Sequence, residues 1–118
     1  MLIRTFYLTT EQAAELRQAA VRAGKGETEF IRELLAEGIA HEIARFPALK
    51  RTIRPTVTDS DFLWAWLPGH VVKKTAGLSA DEDLEIRRIS FAQGATAGNR
   101  FYFFVMDALK RRRLRKKS

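Results

Sequence analysis

Ala23-Gly24-Lys25-Gly26-Glu27-Thr28-Glu29-Phe30-Ile31-Arg32-Glu33-Leu34-Leu35 is the stretch whose reading decides the fold. Gly24 ends a preceding helix, because the residue just past a helix often turns left-handed and glycine does so without steric cost. Lys25-Gly26-Glu27 turns the chain, and Thr28 caps a second helix with its hydroxyl. Phe30, Ile31, Leu34, Leu35, Ile39 and Ile43 line one side of that helix, which Pro47 closes near Phe46.

Upstream, Thr9 and Gln12 have the spacing of a capping box, and Ala13, Leu16, Ala20 and Ala23 follow at helical intervals. Ahead of them Thr5-Phe6-Tyr7-Leu8-Thr9 is β-prone. Phe6 and Leu8 share one face with Arg4, while Thr5 and Tyr7 share the other with Ile3. One isolated strand leaves its amides and carbonyls without partners. The simplest partner is a second copy of the chain, paired antiparallel about a two-fold axis. Four helices then cover one side of the ribbon, and Thr5 and Tyr7 of both copies occupy the other.

Over residues 2–45 the chain resembles the ribbon-helix-helix family of DNA-binding proteins. The resemblance rests on the strand, on the glycine and short polar turn at 24–27, and on the Thr28-Glu29-Phe30-Ile31-Arg32-Glu33 run. It implies a homodimer, or a higher oligomer, whose antiparallel ribbon enters the major groove of double-stranded DNA and reads base edges. Carried onto this sequence, the outward positions are Ile3, Thr5 and Tyr7, and the phosphate clamp falls at Thr28 and Glu29 where the second helix begins. Arg4 and Lys25 add backbone contacts. The sequence departs from the family at Ile3, which is apolar where polar or basic residues are usual.

The 118 residues include 21 Lys and Arg and 14 Asp and Glu, for a formal net charge of +7. Residues 110–118 hold seven of the basic groups and no acid, so the first 109 residues are balanced at 14 of each sign. The surplus therefore lies in a tail expected to be flexible, and Lys110, Arg111, Arg112, Arg113, Arg115, Lys116 and Lys117 are expected to contact DNA nonspecifically. At 46% hydrophobic and 30% charged, the composition is that of a soluble globular chain. No signal-peptide pattern or membrane-length apolar run occurs, so a cytoplasmic protein without membrane contact is expected.

The remaining sequence predicts a mostly helical extension. Residues 47–58 read as a linker with Pro47 and Pro55, and the 59–109 region as a small helical unit after a 1–46 domain. No solenoid repeat is evident. His70 to Ala76 reads as a helix. Ser79 with Glu82 forms another capping box, opening a helix over about 80–93, with a bulged strand as the alternative. Phe101 to Leu109 reads as a final helix leading into the basic tail, so the fold class is mainly α. Trp64 and Trp66, within a 59–76 segment, suggest a competing role as a protein-interaction module that binds a partner protein.

Catalysis is not expected, and no cofactor is implied. With no cysteine and with His41 and His70 outside any ligand spacing, no metal site is readable. Nucleophile-elbow, Walker and dinucleotide motifs are all missing from the sequence.

Overall fold

A computed structural model describes residues 2–45, 67–92 and 97–117, and among these described residues alternating apolar residues and helix-capping signals produce six elements. The order is β1 (Leu2–Leu8), α1 (Thr10–Arg22), α2 (Glu27–Arg45), β2 (Val72–Leu78), α3 (Ala80–Ala92) and α4 (Ala97–Lys117). The protein is mainly helical, with one two-stranded antiparallel sheet among the described residues.

The local signals act as their chemistry dictates. Thr9 Oγ1 accepts from the Gln12 amide at 3.1 Å while Gln12 Oε1 accepts from the Thr9 amide at 3.0 Å. Ser79 and Glu82 repeat the arrangement at 3.1 and 2.9 Å, opening α3. Gly24 takes φ +68°, and the amides of Gly24 and Lys25 close α1 on the carbonyls of Val21 and Ala20. Thr28 is displaced from its expected role. The Gly26 carbonyl already accepts the Phe30 amide, so α2 begins at Glu27 and Thr28 lies in its first turn.

The partner of β1 is β2 of the same chain, which corrects the expectation that a second copy supplies it. Leu2 faces Leu78, Thr5 faces Thr75 and Leu8 faces Val72 in an unbroken antiparallel register. The helix expected over His70–Ala76 is a strand instead. Its inward residues Val72, Lys74, Ala76 and Leu78 alternate with Lys73, Thr75 and Gly77, and the pairing satisfies the backbone groups along the facing edge of each strand. The described C-terminal half is mostly helical, as expected, with β2 as its one departure.

The fold is a strand-helix-helix unit used twice. β2 and α3 begin and end 70 residues after β1 and α1, and α4 begins 70 residues after α2. The paired positions Leu16 and Ile86, Ile31 and Phe101, and Leu35 and Val105 are all buried. One hydrophobic core joins both units, so the expected division between residues 1–46 and 59–109 does not divide it. Residues 47–58, Trp64 and Trp66 lie outside the described residues.

α2 and α4 approach closely where they cross at Gly38. A Cβ added at Gly38 would stand 3.0 Å from the Phe104 Cβ and 3.3 Å from its Cα. The glycine lets the helices approach, and Leu34, Leu35, Phe104 and Val105 close around the crossing with at most 2% exposure. Burying each such side chain contributes about 1.5–3 kcal/mol. Gly38→Val is expected to destabilise the fold by about 1–3 kcal/mol through overpacking, read as a lowered urea midpoint at unchanged slope.

Candidate nucleic-acid interface

The pleat of the ribbon separates two faces. Phe6, Leu8, Ala76 and Leu78 point inward and are fully buried. Ile3, Thr5 and Tyr7 of β1 and Lys73, Thr75 and Gly77 of β2 occupy the other face, as the alternation requires. Across the ladder Thr5 lies opposite Thr75, Tyr7 opposite Lys73 and Ile3 opposite Gly77. Thr75 and Lys73 are exposed, whereas Thr5 and Tyr7 are half-buried. Lys73 is the one charged side chain among these six outward positions.

The two charged residues on the inner face are held by acids. Arg4 Nε and Nη2 donate to the Asp83 carboxylate at 2.9 and 3.2 Å, and Arg87 Nε lies 3.2 Å from the same group. Asp83 and Arg87 are both 7% exposed, so this is a buried ion network between β1 and α3. Arg4 is thereby corrected as a DNA contact: its parity turns it inward, and Asp83 holds it there. Lys74, at the matching position of β2, pairs with Glu27 in the first turn of α2. That pair places the α2 N-terminus beside the ribbon. His70 Nδ1 lies 3.1 Å from the Tyr7 carbonyl oxygen, and its ring meets Tyr102 edge-on.

Lys25 is also occupied, paired with Glu33 of α2. Thr28 is exposed in the first turn of α2, with Glu27 and Glu29 beside it. The expected flexible tail is a continuation of α4 as far as Lys117. Arg112 Nη2 reaches Glu33 at 2.8 Å, its Nε lies 3.3 Å from Glu37, and its guanidinium sits 5.3 Å from the Phe30 ring centroid. Arg113 pairs with Glu15 at 2.6 Å and Arg115 with Glu37 at 3.2 Å. Repulsion within the basic run is thus offset by acids on α1 and α2, and the helix persists. Lys110 is exposed and Arg111 half-buried. The side chains of Lys116 and Lys117 lie outside the described residues.

Of the residues singled out from sequence, the outer face of the ribbon brings together Ile3, Thr5 and Tyr7. Lys73 and Thr75, their cross-strand neighbours, were missed. The available signal was the recurrence of Leu8-Thr9-x-x-Gln12 as Leu78-Ser79-x-x-Glu82, which implies a second strand ahead of the second box. Among the described residues no cluster of His, Asp and Glu is placed to hold a metal, and no helix is long and apolar enough to cross a membrane. Comparison with family models, curated proteins and solved structures finds no match.

The acid that pins α4 is itself tuned. Hydrogen bonds from Lys25 and then Arg112 hold the Glu33 carboxyl below its ordinary value of 4.5. A carboxyl lowered in the folded state contributes stability above its unfolded value, and that contribution is lost as pH falls through the folded one. The melting temperature is expected to drop as pH falls from 4.5 through the lowered value, and Glu33→Gln is expected to flatten that part of the profile.

Proposed function

We propose that this chain is a single-chain member of the ribbon-helix-helix class that binds double-stranded DNA, with both strands of the ribbon supplied by one polypeptide. The observation that supports this most is the outward face of the ribbon. It presents two threonine hydroxyls, a tyrosine and a lysine on one side, while the other side is sealed by four fully buried apolar residues. A two-stranded ribbon fits the major groove, where these side chains can donate to base edges. The α2 N-terminus stands beside the ribbon through the Glu27–Lys74 pair, and its free amides suit a backbone phosphate. The chemistry is binding rather than catalysis, in keeping with a transcriptional repressor or an accessory DNA-binding protein of a mobile element.

The paired Arg112, Arg113 and Arg115 contribute less to nonspecific affinity than seven unpaired tail charges would. Selectivity then rests on the strands. In gel retardation with a selected duplex, Lys73→Ala is expected to weaken specific binding by about tenfold to a hundredfold. Thr5→Ala combined with Thr75→Ala is expected to abolish selection while leaving the circular dichroism unchanged. Unaltered selectivity in both variants would refute DNA reading by the ribbon.

A further inference from the structure

The two ends of the ribbon carry different chemistry. The 70-residue repeat superposes Thr5 on Thr75, which are also cross-strand partners, so the pseudo-two-fold axis passes through that pair. The same operation superposes Ile3 on Lys73 and Tyr7 on Gly77. Two identical chains would place the same residues at both ends, whereas here one end presents Tyr7 beside Lys73, with the 71%-exposed Val71 just beyond. The other end presents Ile3, 72% exposed, opposite a glycine that adds no side chain.

From this asymmetry, and resting on the DNA-binding reading above, we propose that the preferred duplex is not palindromic. Its centre is read by the equivalent hydroxyls of Thr5 and Thr75. One half lies under Tyr7 and Lys73. The lysine ammonium only donates hydrogen bonds, and guanine offers two acceptors, O6 and N7, to the major groove, so this half contains a G·C pair. The other half lies under Ile3, which can neither donate nor accept. Its preferred contact is the thymine C5-methyl, so this half contains an A·T pair. Ile3 and Lys73 are therefore specificity-determining residues for opposite halves of one site. A single chain, read in one direction, also gives the bound DNA a polarity that a symmetric dimer cannot.

The test is selection of duplexes from a random library by the full-length chain, followed by sequencing. The expected result is one non-palindromic motif. Lys73→Ala should relax the G·C preference in one half about tenfold or more, and Ile3→Ala should relax the A·T preference in the other half alone. A third variant, Lys73→Ile with Gly77→Tyr, gives β2 the outer residues of β1, and its enriched motif should become palindromic. Its melting curve confirms folding before selection. A palindromic motif from the natural chain would overturn this inference while leaving DNA binding intact. Enrichment of no motif at all would overturn the DNA-binding reading and this inference with it.

Discussion

Everything else in this structure depends on the pairing of β1 with β2. Neither strand can exist alone, because each would leave a row of amides and carbonyls unsatisfied beside an apolar core. Paired in register, they set Phe6, Leu8, Ala76 and Leu78 on one surface, and the four helices close over it. A slip of one residue in β1 would turn Phe6 and Leu8 toward solvent and bring Ile3, Thr5 and Tyr7 inward, and a slip in β2 would do the same to Ala76 and Leu78. The Arg4–Asp83–Arg87 network and the Lys74–Glu27 pair oppose such a slip, since each ties an inward charge of one strand to a particular helix. Buried charges of this kind add little net stability, yet losing one partner is costly, which suits them to fixing register.

The repeat explains how a short chain encloses a substantial core. Each strand-helix-helix unit has an apolar face that it cannot bury by itself, and the second unit covers it. The units remain equivalent where packing demands it: Leu34 matches Phe104, Leu35 matches Val105, and the small residues Gly38 and Ala108 match at the helix crossing. They have diverged where the ribbon faces outward.

The first unit was legible in the sequence because its signals are local. A capping box at Thr9 and Gln12, a left-handed glycine at 24 and an apolar stripe from Phe30 to Ile43 each act within a few residues. The second strand was not. Lys73-Lys74-Thr75-Ala76-Gly77 carries weak strand propensity, and alanine and glycine are depleted in strands. It is extended because β1 and the core require it, a demand that arises 70 residues away. The inward parity of Arg4 was readable, but its partner Asp83 was not. The basic run from Lys110 likewise read as a solvated tail, since Glu15, Glu33 and Glu37, which hold it in a helix, lie far off in sequence.

The account stands or falls on whether β1 of a chain pairs with β2 of that same chain. The protein has no cysteine, so Thr5→Cys with Thr75→Cys introduces the only two thiols. Facing residues on antiparallel strands have Cα atoms about 4.5–5.5 Å apart, within the range a disulfide can span. After mild oxidation, non-reducing electrophoresis should show quantitative cross-linking in a band that runs as one chain. A cross-linked band at the mass of two chains, or two thiols that stay reduced, would contradict the intrachain ribbon.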